Sequence, residues 1–343
     1  MREEALSCGV RARDFIARGL EPAQAAGEEM LRRAVWSMDV LGRGSSDHAG
    51  TVLRYAMAQG SVLHVGAAMP SVAAYGLGGA AGAYGPRSAL VAISQSGRSP
   101  DLLRYAEAAR TAGAFVIGLI NTESSPLGAL AGAQVPLCAG QERAVAATKS
   151  TVMAVMAGLG LVAGYTGDAQ LLARLRALPD SLDEAAGLDW SALTRMLAGA
   201  RAIYVLGRGT DLGIASEIAL KIAEAVGVPA LAFSSAEFLH GPLGAVSAAT
   251  PVLGISSNRA ELGSVAIALE RARQQPAPTL LAHGFAAGLD VPVADLPLPR
   301  VMVSAADCVP TLVAAYLAIE AAALAVGRDP DRPRGLSKIT ETL

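Results

Sequence analysis

A chain of 343 residues has room for two lobes with cores of their own, and 52% hydrophobic residues against 4% aromatic suit an α/β protein whose parallel strands are buried on both faces. A net charge of −2, with no long run of Lys and Arg, gives no reason to expect nucleic acid or an anionic membrane as a partner. The scattered Cys8, Cys138 and Cys308 make neither a disulfide framework nor a metal-ligand spacing, and no metal or other cofactor is expected.

The opening MREEALSCGVRARDF is charged and lacks the apolar core of a secretory signal. The apolar stretch Val152–Gly164 falls short of the ~20 residues of a spanning helix, and Thr311–Val326 is interrupted by Glu320 and reads as a buried helix. A soluble, cytoplasmic protein is the expectation.

In chain order, Arg2–Arg33 reads as a helical lead-in. Strand-like runs follow at Val35–Leu41, which ends in GRGSSD, and at Ser61–Val65. The run from Leu90 stops abruptly at Ser94-Gln95-Ser96-Gly97, the helix Asp101–Ala112 follows, and Phe115–Ile120 is the next strand. Pro136 precedes the polar loop QERAVAATKS, which leads into a long apolar helix from Ser150 to Thr166. Strands separated by helical patterns argue for βαβ units and a parallel sheet.

The pattern then restarts. AIYVLGRGTDLGIASEIALKIAE from Ala202 echoes AVWSMDVLGRGSSDHAG from Ala34, and TPVLGISSNRAEL from Thr250 echoes SALVAISQSGRSPDLL from Ser88. Two matched pairs in the same order imply two similar α/β lobes. The boundaries drawn are a lead-in at 1–33, a first lobe at 34–178, a linker at Leu178–Asp189 around Pro179, a second lobe at 190–327 and a tail at 328–343.

In an open α/β sheet, ligands sit at the carboxyl ends of the strands, where the next helix points its N–H groups and positive dipole end outward. Ser94, Gln95, Ser96 and Ser99 add side-chain donors there, Gly97 lets the backbone approach closely, and Gly44-Ser45-Ser46 ends the earlier strand with a second set. A single such serine is ordinarily a helix cap, and Ser99-Pro100-Asp101 fits that role. Two hydroxyl-rich turns at equivalent strand ends fit a phosphate cradle of neutral donors.

The second lobe carries charge of another kind. Glu217, Lys221 and Glu224 fall on one helix face, amid Ile214, Ala215, Ile218, Ala219, Leu220, Ile222 and Ala223. A surface ion-pair ladder would explain the spacing. The apolar company points instead to a charged stripe facing a cleft. His240, in Phe238-Leu239-His240-Gly241-Pro242, suits acid–base work on a hydroxyl, although a lone histidine is more often structural. Of 28 basic residues only Lys149, Lys221 and Lys338 are lysines. An amine differs from a guanidinium in being able to form a Schiff base.

These residues resemble the sugar isomerase (SIS) domain proteins, and within them the isomerase half of glucosamine-6-phosphate synthase and stand-alone SIS-type glucosamine-6-phosphate deaminases. The resemblance runs from about Val35 to Leu343 and rests on GRGSSDHAG, SQSGRSPD, VAATKS, LGRGTDLGIASEIALKIAE, AEFLHGP and PRGLSKITETL in the family's order. It implies two tandem SIS lobes, each a flavodoxin-like three-layer sandwich with a mainly parallel sheet flanked by helices, and a C-terminal tail over the active site. It further implies that Ser46, Ser94, Gln95, Ser96 and Ser99 bind a sugar phosphate, with Ser45 a neighbouring contact. Glu224 matches the base that moves a proton between C1 and C2. His240 matches the ring-opening histidine, supplied by the neighbouring subunit of a homodimer. Lys338 matches the tail lysine that can form a Schiff base, and Glu217 and Lys221 match residues lining the site.

Two departures bear on function. The full synthase carries an N-terminal glutaminase domain with a cysteine at its amino terminus, whereas position 2 here is Arg2 and the chain starts in the SIS lead-in. Ala147 stands where the synthase has a serine near the sugar. The resulting expectation is a phosphosugar aldose–ketose isomerase working as a deaminase on an amino sugar phosphate such as glucosamine 6-phosphate. Alternatives are a deglycase of a sugar-phosphate–amino-acid adduct, a plain isomerase, or a non-catalytic sugar-phosphate-sensing module.

Overall fold

Apolar runs bounded by glycine and serine become two separate parallel sheets in the computed structural model, which describes residues 1–74, 84–286, 288, 291–301 and 304–336. The lead-in is helical throughout: α1 (Arg2–Leu6), α2 (Cys8–Arg18) and α3 (Leu20–Arg32). The chain divides into two units, one of Val10–Gln141 and Ser150–Arg176, the other of Met1–Gly9, Glu142–Lys149 and residues 177–336.

The first unit alternates β1 (Ser37–Leu41), α4 (Ser45–Gly60), β2 (His64–Ala67), α5 (Pro70–Ala74), β3 (Ser88–Ser94), α6 (Pro100–Thr111), β4 (Phe115–Ile120), α7 (Pro126–Leu130), β5 (Ala133–Pro136) and α8 (Lys149–Thr166). The sheet order is β2-β1-β3-β4-β5, every pairing parallel, with Ser37 opposite Ser88 and Leu41 opposite Ala92. All residues of β3 and β4 are buried, as strands covered on both faces must be. On one face Leu90, Ala92, Val116 and Ile120 pack against Leu102, Tyr105, Ala106 and Ala109 of α6. Each such Leu or Ile contributes about 1.5–3 kcal/mol.

Glycine decides the approach of α3 to α8. A Cβ on Gly27 would lie 2.2 Å from the Leu161 carbonyl oxygen, and one on Gly164 2.1 Å from that of Gln24. Neither contact can relax, because both oxygens are backbone. The second strand begins three residues later than the sequence suggests. Ser61 Oγ donates to the Met57 carbonyl at 2.7 Å and accepts from Leu63 N–H at 3.3 Å, so residues 61–63 turn out of α4 before pairing starts.

The second unit repeats the scheme: α9 (Ala169–Ala186) enters it, then α10 (Ser191–Gly199), β6 (Ile203–Gly207), α11 (Thr210–Lys221), β7 (Ala230–Ser234), α12 (Ser235–Leu239), β8 (Val252–Ile255), α13 (Arg259–Arg273), β9 (Thr279–His283), β10 (Leu296–Pro297) and α14 (Pro310–Ala325). Its order, β10-β9-β8-β6-β7, is that of the first sheet, all parallel. The repeat read from LGRG is therefore a repeat of topology.

The stretch expected as a linker is mostly helix. α9 runs through Pro179, whose missing N–H forfeits one backbone bond. Leu171, Leu175, Leu178, Leu182 and Ala185 recur at helical spacing and are at most 3% exposed, and their burial outweighs that loss. Helix α14 belongs to a stretch, Ala305–Ala325, that is long and apolar enough to cross a membrane, yet most of it is buried inside the protein. Its Glu320 pairs with Arg2 at 3.2 Å.

Candidate active site

A strand order of 2-1-3-4-5 reverses direction between its first and third strands, and the loops leaving those two strands flank a crevice. In the first unit those loops carry the predicted hydroxyls. Gly44, at φ 52° and ψ −127°, turns the chain into α4 so that Ser45 and Ser46 form its first turn, both half-buried. Gly209 stands at φ 58° and ψ −130° before α11, the same turn in the second unit.

Across the crevice, Ser94 Oγ is buried and accepts from Gly97 N–H at 3.0 Å. Ser96 Oγ accepts from Arg98 N–H at 3.3 Å. Gly97 has φ +63°, and a Cβ there would meet Ser125 Oγ at 2.3 Å, so the loop requires glycine twice over. Gln95, Ser96 and Ser99 are half-buried. Ser99 occupies the N-cap position of α6, but its side chain makes no capping bond. Its hydroxyl is not spent on the role a lone serine would normally have there.

Sequence reasoning missed the tie between the two loops. Arg43 Nε and Nη2 donate to Asp101 Oδ2 at 3.0 and 2.8 Å, and Asp101 is fully buried. The signal was available in the repeat: Arg208 faces Glu261 in the second unit, where LGRG and the first turn of α13 occupy the corresponding places. Arg43→Ala strips a buried carboxylate of its guanidinium and is expected to lower unfolding stability by about 2 kcal/mol, read by urea denaturation. Arg43→Lys, lacking the two-pronged fork, is expected to recover only part of it.

The matching crevice of the second unit holds a carboxyl group of the chain itself. Asp211, in the first turn of α11 where α4 has Ser46, is 1% exposed. Its oxygens accept from Ser257 N–H at 2.6 Å and from Ser257 Oγ at 2.9 and 3.0 Å. Burial raises its pKa to about 7, the charges of Glu261 and Asp307 add to the rise, and the two Ser257 donors oppose it. The Cys308 thiol beside it is pushed up by burial and by Asp211 and Asp307, and accepts help only from Thr210 and its own backbone.

The consequence for stability has a definite sign. Between about pH 4 and pH 7 the folded protein holds a proton on Asp211 that the unfolded chain has released, so this group's contribution falls as pH rises through that window and is flat above it. Asp211→Asn removes that loss. Its stability relative to wild type is expected to rise by about 2–3 kcal/mol between pH 5 and pH 8, at roughly 1.4 kcal/mol for each tenfold in proton affinity. Urea midpoints at matched pH check it, and a pH-independent difference would refute it.

Helix α11 ends in the charged stripe. Glu217 and Lys221 are each 1% exposed, so this part of the stripe is interior. Lys221 Nζ lies 3.7 Å from Glu217 Oε1 and bonds directly to Glu224 Oε2. Tyr316 of α14 donates its hydroxyl to that same Glu217 oxygen at 3.1 Å. Glu224 lies in a π-helical turn, Ile222–Val226, closed by Gly227 at φ +72°. Such turns are frequent at functional sites. The Glu224 side chain is 21% exposed, the one of the three that reaches the surface.

His240 is exposed and closes α12, its N–H bonded to the Glu237 carbonyl at 3.0 Å. Ala147 is half-buried in a turn held by carboxylates: Glu142 Oε1 accepts from Thr148 N–H at 2.9 Å, and Glu4 accepts from Arg143 N–H. Lys338 lies outside the described residues. The structure thus joins Glu217, Lys221 and Glu224 in one unit with His240 and Ala147, and Ser45, Ser46, Ser94, Gln95, Ser96 and Ser99 in the other.

Two parallel sheets of the same order, each with a crevice at its reversal point, define a tandem three-layer α/β protein. The chain belongs to the SIS domain family, whose profile matches residues 30–163 and 196–325. It is 29% identical over 338 residues to the glutamine–fructose-6-phosphate aminotransferase (isomerizing) of Pyrobaculum aerophilum, covering 94% of this chain and 54% of that protein. The chain thus spans about half the length of that relative. Among solved structures, a "putative phosphosugar isomerase" from Silicibacter pomeroyi DSS-3 superposes with a TM-score of 0.86 at 31% identity, over 96% of this chain and 99% of the other. Glucosamine-6-phosphate deaminase of Thermotoga maritima shares the fold, with a TM-score of 0.77 at 18% identity and 99% coverage of both chains.

Proposed function

We propose that the protein is a phosphosugar aldose–ketose isomerase that deaminates an amino sugar phosphate, glucosamine 6-phosphate first among candidates, to the ketose phosphate and ammonia. The observation that carries the reading is the Lys221-held carboxylate of Glu224, partly exposed at the end of an otherwise buried ion ladder. A base whose counter-ion is fixed beneath it can take a proton from carbon without first reorganising.

In this reading the hydroxyls of Ser46, Ser94, Ser96 and Ser99, with Gln95 and neighbouring Ser45, bind the phosphate. His240, reaching the site from a second copy of the chain, opens the pyranose by moving a proton at the ring oxygen; its exposure suits that placement. Glu224 takes the C2 proton and returns it to C1, which turns the amine-bearing carbon into a C2 imine. Water adds to the imine, the C–N bond breaks, and ammonia leaves. The Lys338 amine holds the open-chain carbonyl by charge or as a Schiff base. Glu217 and Lys221 act through Glu224, since their side chains are interior. A cytoplasmic homodimer is part of the proposal, supported by the three unpaired cysteines and by the exposed His240.

The test is ammonia release from a panel of 2-amino-2-deoxyhexose 6-phosphates without glutamine. Turnover of the glucosamine or galactosamine ester supports the deaminase. Binding without ammonia refutes it, and a following assay with sugar-phosphate–amino-acid adducts and with ketose phosphates then separates a deglycase or plain isomerase from a sensing module.

A further inference from the structure

The ladder beneath Glu224 does not end at Lys221. Glu217 Oε1 receives both the Lys221 ammonium, at 3.7 Å, and the Tyr316 hydroxyl, at 3.1 Å. Tyr316 is completely buried and sits seven residues into α14, in the apolar interior of the second unit. A tyrosine needs a partner for its hydroxyl when buried, and a carbonyl would serve. Here the partner is a carboxylate already engaged by a lysine. The result is a continuous buried chain, Tyr316 to Glu217 to Lys221 to Glu224, running from the core to a partly exposed carboxylate.

We propose that Tyr316 is a positioning residue for Glu224. Its hydroxyl satisfies part of Glu217, so that Lys221 is shared toward Glu224 rather than drawn wholly to Glu217. Both demands fall on one oxygen, which makes them competitive: removing the tyrosine donor leaves Glu217 to be balanced more by the ammonium, and the ammonium moves away from Glu224. Buried chains that alternate hydrogen bonds with an ion pair, as here, are coupled, since in a low dielectric each member polarises the next. Tyr316 touches no reacting atom and acts only through the two residues between. The kinetic part of the inference rests on the role proposed for Glu224, but the structural part does not.

Two measurements test it. The first is a double-mutant cycle of Tyr316→Phe and Glu224→Gln in urea, which needs no substrate. Independent sites add to within roughly twofold in the unfolding equilibrium constant, whereas members of one network depart from additivity, here by more than about threefold. Additivity overturns the proposal. If Tyr316→Phe does not fold in plain buffer, the same cycle is run in a stabilising osmolyte such as sucrose, where additivity overturns the proposal equally. The second is the kinetics of Tyr316→Phe on whichever sugar phosphate is turned over: kcat is expected to fall about fivefold, the effect of one hydrogen bond, with KM unchanged. A variant with wild-type kcat per folded molecule overturns the positioning role. If instead Glu224→Gln keeps full turnover while the cycle is non-additive, the ladder stands and the role proposed for Glu224 fails.

Discussion

Glu224→Gln is expected to lower turnover of the sugar phosphate proposed as substrate by roughly 10²–10⁴-fold, the usual contribution of a positioned acid–base group, while leaving its binding intact. Glutamine keeps the size and the hydrogen-bonding outline of the side chain but cannot take a proton from carbon. The hydroxyls proposed to bind the phosphate lie on other loops, after β1 and β3, and are untouched by the change. Ammonia release reads the first quantity and calorimetric titration with the sugar phosphate reads the second. An equal loss in both would mean that Glu224 holds substrate rather than moving a proton. A loss in neither would move the chemistry away from the end of α11 altogether.

Much of this was legible in the residues. The apolar run Phe115–Ile120 forms a strand over that same range, because six buried residues between a glycine and a polar turn leave little freedom. The LGRG repeat became two glycines at nearly identical φ and ψ, since only a residue without Cβ adopts that turn readily. The i, i+4, i+7 spacing of Glu217, Lys221 and Glu224 put them together, although the last lies in a π turn that no periodicity announces. That stripe read as facing a cleft. In the folded chain Glu217 and Lys221 are interior, and a sequence gives the side of a helix but not what covers it.

What stayed hidden was long-range. The Arg43–Asp101 pair joins residues 58 apart, Tyr316 reaches Glu217 across 99, and Ser257 closes on Asp211 across 46. No local pattern encodes such partners; only a comparison of the two halves could have suggested the first. The same comparison separates the two crevices chemically. One is lined by neutral hydroxyls, the other filled by the Asp211 carboxyl, so similar backbones present an anion with opposite prospects. Pro179 misled for a different reason: a proline in a helix costs a bond, and five buried side chains on one face more than offset it.

Lys221→Met should be the most destabilising single substitution in the second unit's site, by about 3–5 kcal/mol in urea denaturation. The ammonium is 1% exposed and sits between two carboxylates, of which Glu217 is equally buried. Methionine fills nearly the same volume, so the loss is electrostatic: a buried carboxylate is left without its counter-ion. Adding Glu217→Gln to Lys221→Met should therefore restore a substantial part of the stability, because the orphaned charge is gone. That rescue is what distinguishes a charge effect from a packing defect, which the second substitution could not repair. Activity is expected to behave otherwise. The double variant folds well but still lacks the cation that holds Glu224, so its kcat should remain low while its melting behaviour recovers. If turnover returned together with stability, Lys221 would be a structural counter-ion alone, and the geometry of Glu224 would have to be set by the π turn that carries it.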